Sequence, residues 1–175
     1  MDIGFDKIYE DMLTQFPKEE LKSYDEFKTL LKLPQYSLHI FVPQNQIAGY
    51  SLWYIDDELS FLWLDYIAIL KEFHSKGYGS LYLKEFLKEH SDKKYCFFEV
   101  EKPTNEQAIR RQKFYEKLGC KNTGIKYYFP NKYKKLEMDL LYMGINTKEA
   151  PSEEYLNKVI SKVHKILHNS DWKAL

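Results

Sequence analysis

Residues 63–87 read WLDYIAILKEFHSKGYGSLYLKEFL, and the pattern of apolar residues changes twice within this stretch. From residue 59 to residue 69 nearly every side chain is apolar or aromatic, which is typical of a strand covered on both faces. After Gly77 the apolar residues Leu83 and Leu87 recur four positions apart, the spacing of one face of a helix. The sequence therefore predicts a central strand, a short turn and a helix that packs against the strand.

The turn between the predicted strand and the predicted helix is polar and contains two glycines. Its residues are His74, Ser75, Lys76, Gly77, Tyr78, Gly79 and Ser80. The first N–H groups of a helix have no partner within the helix, and the helix dipole favours an anion there, so we expect this turn to bind a phosphate or pyrophosphate. The glycine spacing matches neither a P-loop nor the GxGxxG pattern. An ordinary glycine-rich turn is equally compatible with the two glycines alone.

The composition is that of a single globular domain of 175 residues. Its 26 basic and 26 acidic residues balance, so no net charge attracts the protein to nucleic acid or to an anionic membrane. No apolar stretch approaches the roughly 20 residues that span a bilayer, and the N-terminus lacks a signal-peptide pattern. We therefore expect a cytoplasmic protein with no nucleic-acid or membrane partner. Cys96 and Cys120 have neither metal-binding nor disulfide spacing, and we interpret both as buried apolar residues.

The remaining segments alternate between helical and extended patterns. Helices are predicted at residues 6–16, 24–31 and 105–118 and after Pro151, in addition to the helix that follows Gly77. Strands are predicted at residues 37–42, 47–55, 59–69, 94–100, 127–129 and 136–142, with a weak first strand at 1–5. The strand at 59–69 is long enough to favour an internal bulge. We expect the strand at 94–100 to lie parallel to it, with a ligand-binding crevice where the two diverge.

Two motifs resemble those of the GNAT superfamily of N-acetyltransferases. The strand end Ile67-Ala68-Ile69 and the turn up to Ser80 resemble motif A, [R/Q]-x-x-G-x-[G/A], with His74 where the family usually has Arg or Gln. Phe114-Tyr115-Glu116-Lys117-Leu118-Gly119-Cys120 resembles the FYxKxGF ending of motif B, with Cys120 in place of the last aromatic residue. The segments Phe98-Glu99-Val100-Glu101 and Arg110-Arg111 resemble a bacterial subgroup with an EVE strand and an RRxxFYE helix. The corner Phe16-Pro17-Lys18-Glu19-Glu20 resembles an FPxxE element of bacterial members.

The resemblance implies an α/β fold of GNAT type: a mixed twisted sheet with splayed central strands, helices on both faces and an extra C-terminal helix. It implies one acetyltransferase domain over residues 1–175, with N-terminal helices at 1–35, a core at 36–142 and the C-terminal helix at 151–170. The implied activity is direct transfer of an acetyl group from acetyl-CoA, the co-substrate, to a primary amine of a small molecule or peptide. The residues implied to bind coenzyme A belong to the strand end and the turn: Ile67, Ala68, Ile69, His74, Ser75, Lys76, Gly77, Tyr78, Gly79 and Ser80.

The resemblance and the chemistry of acyl transfer together suggest catalytic residues. Tyr115 stands at the position of the family's tyrosine that protonates the leaving thiolate, and a core tyrosine is the alternative. An amine must be neutral to attack a thioester, so a carboxylate has to take its proton. We nominate Glu99 as this base, with Asp65 and Glu101 behind it. Capping of the next helix by Glu101 and pairing of Asp65 with a lysine inside the sheet are the alternatives.

Two further groups of residues have ambiguous patterns. His164 and His168 have the spacing of metal ligands on a helix, but no third ligand is near, so we expect a solvated helix face and no metal site. Three aromatic residues are compatible both with an acceptor pocket and with core packing, namely Trp53, Tyr54 and Trp63.

Two other functions are compatible with the sequence. One is a coenzyme A-binding sensor or interaction protein without catalysis, which the histidine at position 74 and the uncertain base favour. The other is a nucleotide-binding regulator that uses the Gly77 turn for a different phosphate. The sequence leaves the acceptor amine open and is compatible with a monomer or a homodimer.

Overall fold

The computed structural model describes residues 4–130 and 135–170. The α-helices in this part are α1 (Phe5–Gln15), α2 (Tyr24–Leu30), α3 (Tyr78–Glu89), α4 (Glu106–Lys117) and α5 (Glu153–Leu167). The strands are β1 (Tyr36–Phe41), β2 (Gly49–Asp56), β3 (Phe61–Ile69), β4 (Tyr95–Glu101), β5 (Lys121–Asn122), β6 (Tyr127–Pro130) and β7 (Lys135–Gly144). None of the helices at 4–130 and 135–170 is both long and apolar enough to cross a membrane.

The strands form one mixed sheet in the order β1-β2-β3-β4-β7-β5, and β6 also pairs with β7. β3 and β4 are parallel, whereas the other pairs are antiparallel. The predicted α/β class, the parallel pair and the C-terminal helix are confirmed. The weak strand expected at 1–5 falls partly outside the described residues, and Phe5 already begins α1. The two-residue strand β5 had no signal in the sequence because it is too short for an alternating pattern.

The helices cover the two faces of the sheet unequally. One face packs against α1, α2 and α5 through Met12, Phe27 and Val159, among others. The other face packs against α3 and α4 through Leu83 and Tyr115, among others. This arrangement explains why β3 is apolar on both sides: its successive side chains contribute alternately to two separate cores.

A bulge interrupts β3 at Asp65, as the length of the strand predicts. Leu52 of β2 lies opposite Tyr66 and Trp53 lies opposite Leu64, so Asp65 has no partner across the ladder. A bulge of this kind bends the strand and increases its local twist.

The parallel ladder between β3 and β4 stops beside this bulge. The last paired residues are Leu64 and Phe98, although both strands continue beyond them. On its other side β4 stays paired with β7 along its whole length, up to Glu101. The carboxyl ends of β3 and β4 therefore diverge, and the expected crevice lies between them.

Candidate active site

The glycine turn forms the N-terminus of α3. Gly77 is the N-cap residue and has a left-handed backbone with φ of 79°, which a glycine adopts without strain. No side chain caps the helix, and the first helical bond is donated by the N–H of Leu81 to the carbonyl of Gly77. The N–H groups of Tyr78, Gly79 and Ser80 therefore precede the first intrahelical bond, as an anion-binding helix terminus requires.

Gly79 lies where three elements meet. A methyl group added at this position would be 3.5 Å from the Phe114 ring of α4 and 3.6 Å from the Ile69 side chain of β3. These are ordinary contact distances, so a methyl group would fit between α3, α4 and the end of β3 without displacing them. The two sequence motifs are therefore neighbours in the fold.

Two basic side chains of the turn fold back onto the preceding backbone. The ammonium of Lys76 donates to the Glu72 carbonyl at 2.7 Å and lies 5.4 Å from the centre of the Phe73 ring. The Nε2 of His74 is 2.7 Å from the Ile69 carbonyl oxygen and must be its protonated ring nitrogen, because a carbonyl only accepts. A contact from Nδ1 to a phosphate thus requires the doubly protonated ring.

The backbone at the end of β3 faces the crevice at alternate residues. The N–H of Leu70 donates to the Ala48 carbonyl. Hydrogen-bonded pairs alternate along an antiparallel ladder, so the next such pair is Ala68 of β3 with Tyr50 of β2. The polar backbone groups of Ile67 and Ile69 consequently point the other way, toward the gap that β4 leaves. Ala68, which the resemblance also assigns to coenzyme binding, has its backbone groups bonded within the sheet.

A cavity of about 250 Å³ occupies the crevice. The three predicted catalytic residues Tyr115, Glu99 and Asp65 all line it, although they come from α4, β4 and β3. The cavity wall also includes Glu20 and Arg111. The structure thus brings the predicted catalytic residues to one place, beside the end of β3 and the turn before α3.

Glu99 lies in the wall of this cavity, and its side chain is only 6% exposed. Its Oε1 accepts a short hydrogen bond from the hydroxyl of Tyr127, and its Oε2 lies 3.4 Å from the indole nitrogen of Trp63. Burial raises the pKa of Glu99 to about 7, while these two donors oppose the shift. The group therefore changes charge near neutral pH.

Asp65 is held in an ion pair. The ammonium of Lys22 lies 2.8 Å from Oδ1, and the hydroxyl of Tyr36 donates to Oδ2 at 2.6 Å. Pairing with a lysine was one of the two interpretations of this residue. Lys22 comes from the connection between α1 and α2, and not from the sheet. With its oxygens engaged in this way, Asp65 is less available to take a proton than Glu99.

Tyr115 lies on the buried face of α4. Its ring packs 4.9 Å from the ring of Phe98, and its hydroxyl has no hydrogen-bond partner among the residues that the structure describes. Burial raises the pKa of this phenol, so the hydroxyl keeps its proton at all physiological pH values. A protonated phenol in the cavity wall is suited to donate to a leaving anion.

Sequence reasoning missed a third carboxylate in the cavity wall, that of Glu20. Glu20 has its pKa raised to about 7, chiefly by burial and then by a hydrogen bond with Glu101. Glu101 does not cap α4; it forms a salt bridge of 3.0 Å with Arg111 of that helix. The signal available was the resemblance of residues 16–20 to an FPxxE element, which carries no spatial information by itself.

The expectation for the histidines of α5 is wrong. His164 is fully buried, and the side chain of His168 is only 4% exposed. Both lie on the face of α5 that also carries Val163 and Leu167 and packs against the sheet. The apolar stripe of the helix thus continues through the two histidines. The described residues contain no cluster of three potential metal ligands.

The three aromatic residues with ambiguous patterns belong to the core. Trp53 stacks on Phe86 of α3 at 4.1 Å, and the hydroxyl of Tyr54 donates to Asp56 at 2.9 Å. Trp63 reaches the site through its indole nitrogen, which lies 3.4 Å from Oε2 of Glu99. Both cysteines are buried and unpaired, as the sequence predicts.

Residues 5–120 match the model of the acetyltransferase (GNAT) family. The chain belongs to this family. The matched range contains the glycine turn, Asp65, Glu99 and Tyr115, whereas β6, β7 and α5 follow it. No curated protein sequence matches this GNAT chain.

Solved structures of GNAT proteins have the same fold. A GNAT-family protein from Bacteroides thetaiotaomicron is 23% identical, with a TM-score of 0.81 over 95% of this chain and 93% of its own. An aminoglycoside 6'-N-acetyltransferase complexed with coenzyme A is 15% identical, with a TM-score of 0.60 over 82% and 92%. A GNAT acetyltransferase from Elizabethkingia anophelis with acetyl-CoA bound is 18% identical, with a TM-score of 0.54 over 70% and 83%.

Proposed function

We propose that this protein transfers an acetyl group from acetyl-CoA to a primary amine by direct attack of the amine on the thioester. The observation that carries the proposal is the crevice between β3 and β4. This crevice lies beside the glycine-containing N-terminus of α3. Its wall contains the buried carboxylate of Glu99 and the phenol of Tyr115, which has no hydrogen-bond partner among the described residues. Each feature alone has a structural explanation, but a thioester-dependent acyl transfer needs all of them in one place.

The residues around the crevice fit coenzyme A in two respects. The N–H groups of Tyr78, Gly79 and Ser80 are available to a pyrophosphate at the start of α3. The outward-facing backbone groups of Ile67 and the N–H of Ile69 are available to a pantetheine arm lying along β3 as an additional strand, whereas the Ile69 carbonyl already accepts from the His74 ring. Lys76 belongs to the same turn and adds a positive charge near the pyrophosphate when its ammonium leaves the Glu72 carbonyl. Ala68 contributes the spacing between the two outward-facing residues.

The protein's own groups divide the proton chemistry between them. Acetyl-CoA supplies an activated acyl carbon and a thiolate leaving group. Glu99, with its pKa of about 7, takes a proton from the ammonium of the acceptor near neutral pH. Tyr115 holds its phenolic proton because it is buried, donates this proton to the departing sulfur, and is reprotonated by the second proton that the nitrogen loses on becoming an amide. Backbone N–H groups of the splayed part of β3 polarise the carbonyl that is attacked. Asp65 acts in this scheme through Lys22, by fixing the bulge that opens the crevice.

The acceptor belongs to the class of primary amines. The solved structures of this fold include a ribosomal-protein-S18-alanine N-acetyltransferase from Escherichia coli and an aminoglycoside 6'-N-acetyltransferase, which acetylate different amines. The cavity wall of this chain includes three acidic side chains and one basic side chain, namely Glu20, Asp65, Glu99 and Arg111. Such a wall favours a cationic acceptor over an anionic one.

The test is release of free thiol from acetyl-CoA in the presence of a panel of amines that covers polyamines, amino acids, aminoglycosides and peptide N-termini. Thiol release that depends on an amine, with a product heavier by one acetyl group, supports the proposal. Thermal stabilisation by coenzyme A without thiol release for any amine favours a catalytically idle sensor. Stabilisation by ATP and not by coenzyme A favours a nucleotide-binding regulator.

A further inference from the structure

A chain of hydrogen bonds leads from the cavity through the protein to the end of α5. The hydroxyl of Tyr127 donates to Oε1 of Glu99 and lies 2.9 Å from Nε2 of His164. On the other side of the ring, Nδ1 of His164 lies 3.2 Å from the hydroxyl of Ser170. Tyr127 and His164 are fully buried, whereas Ser170 is partly exposed. The chain therefore connects a buried carboxylate with the protein surface.

We propose that Tyr127, His164 and Ser170 form the path by which the proton collected by Glu99 leaves the protein. This inference rests on the proposed acetyl transfer, because only a turning-over base has to discharge a proton in each cycle. It assigns a functional role to β6 and α5, which follow the range matched by the family model.

The proton balance is as follows. In the resting state Glu99 is ionised, the Tyr127 hydroxyl points to it, and His164 is neutral with its hydrogen on Nε2. After Glu99 has taken a proton from the amine, the hydrogen of the neutral His164 ring moves from Nε2 to Nδ1 by exchange with water, which leaves Nε2 free to accept. Glu99 then passes its proton to the Tyr127 oxygen while the Tyr127 proton moves to the unprotonated Nε2 of His164. The imidazolium then releases its Nδ1 proton to Ser170 and water. Each bond that forms replaces one that breaks, and the resting state returns.

Among residues 4–130 and 135–170, the other groups that face Glu99 do not offer such a path. The indole of Trp63 only donates. Nε2 of His168 is 3.8 Å from Oε1 and has no hydrogen-bond partner within the described part of the chain, and burial keeps its ring neutral. Asp65 is bound by Lys22. While an acceptor or its product fills the cavity, Tyr127 is thus the contact through which Glu99 exchanges a proton with the surface.

The electrostatics of the path make transfer from Glu99 to His164 uphill and release from His164 downhill, so the protonated ring is short-lived. Burial lowers the pKa of His164 to about 4, so a proton on this ring is released quickly toward Ser170. Burial and the adjacent Glu99 raise the pKa of Tyr127 well above its ordinary value. A free phenolate is therefore avoided, and the two transfers at Tyr127 occur together.

The first experiment compares Tyr127→Phe with Tyr155→Phe. The hydroxyl of Tyr155 on α5 donates to the Leu59 carbonyl at 2.7 Å and has no bond to the path, so its loss is a matched structural control. We expect Tyr127→Phe to lower kcat about tenfold with nearly unchanged KM for acetyl-CoA. We also expect its solvent isotope effect to depend linearly on deuterium content, whereas the wild type and Tyr155→Phe give a curved dependence.

The second experiment uses the free wild-type protein and nitrogen-15 NMR of its histidines. The path requires His164 to carry its hydrogen on Nε2 above pH 8 and on Nδ1 when Glu99 is protonated, with the change centred near the pKa of about 7 of Glu99. A fixed Nδ1 tautomer at all pH values overturns the inference even if Tyr127→Phe does not fold. Wild-type kcat and isotope effect in folded Tyr127→Phe overturn it as well and leave acetyl transfer intact. Wild-type protein that releases no thiol with any amine removes the proposed function itself.

Discussion

The ammonium of Lys22 lies 2.8 Å from Oδ1 and 3.0 Å from Oδ2 of Asp65, and the two side chains are 8% and 1% exposed. Asp65 is the bulged residue of β3, and Lys22 belongs to the connection between α1 and α2. A buried ion pair thus ties the N-terminal helices to the point at which the sheet opens. The pair therefore connects the bulge of β3 to the segment between α1 and α2 that carries Glu20 of the cavity wall.

Replacing Lys22 by methionine leaves the Asp65 carboxylate buried without its cation. We expect Lys22→Met to lower the free energy of unfolding by about 3 kcal/mol, because an uncompensated buried charge costs far more than a lost surface contact. Urea unfolding at pH 7.5 measures the change. Lys158→Met is the control, since Lys158 pairs with Glu154 at the surface and is 59% exposed; its effect should stay below about 1 kcal/mol. Equal losses in the two variants would contradict the assigned role of the pair.

The sequence predicts the strand, turn and helix of residues 63–87 because each has a local cause. Two-sided burial makes β3 continuously apolar, and a left-handed N-cap requires a residue such as Gly77. The bulge was predictable from strand length, although only the register identifies Asp65 as the bulged residue. Features that arise within one segment are therefore encoded in that segment.

The rest of the site could not be predicted because it joins distant segments. Lys22 and Asp65 are separated by 43 positions, and Tyr127 and His164 by 37. The spacing of His164 and His168 is the same on a solvated face as on a buried one, so the sequence alone gave the wrong face. The apolar residues Val163 and Leu167 beside them were the available signal.

The left-handed Gly77 provides a test of the anion site. Gly77→Ala introduces a side chain at φ of 79° with no atom within 4 Å, so its cost of about 1 kcal/mol comes from the backbone conformation alone. We expect the strain to displace the first N–H groups of α3 and to weaken coenzyme A binding about tenfold, as measured by calorimetry.

Gly124→Ala is the matched control for this change. Gly124 has φ of 76°, also with no atom within 4 Å, but it lies between β5 and β6. It should lose the same stability and bind coenzyme A as the wild type does. If both variants bind equally well, the N-terminus of α3 is not the pyrophosphate site.

Tyr115 is expected to act in the chemical step and not in binding. Tyr115→Phe keeps the ring contact with Phe98 and removes a hydroxyl that has no partner in the described structure, so the fold should be unaffected. We expect kcat to fall about a hundredfold while the affinity for coenzyme A changes less than about twofold. Tyr95→Phe, which loses a bond to the Glu149 carbonyl, serves as the control. Unchanged turnover in Tyr115→Phe would remove this residue from the mechanism.

Glu99 should make both rate and stability depend on pH. Its pKa is raised from 4.5 to about 7 in the folded protein, so the folded state binds the extra proton and stability falls as pH rises from about 4.5 to 7. Glu99→Gln removes this dependence, and we expect it to gain about 3 kcal/mol relative to the wild type between pH 4.5 and pH 8. The same variant should lose the increase in kcat/KM that the wild type gains as pH rises through about 7.

Glu20 is the control for this pH dependence, because its pKa is also raised to about 7 and it lines the same cavity. Glu20 is half-buried and interacts mainly with Glu101 and Arg111 and less strongly with Glu99. Glu20→Gln should therefore retain the increase in rate near pH 7 and remove a smaller part of the pH dependence of stability. Urea unfolding and initial rates at pH 5, 6, 7 and 8 give both quantities for the three proteins. If the rate increase disappears in Glu20→Gln and persists in Glu99→Gln, the base is Glu20. The rate rises with pH because the base must lose its own proton before it can accept one from the amine, so only the variant that lacks the base loses this rise.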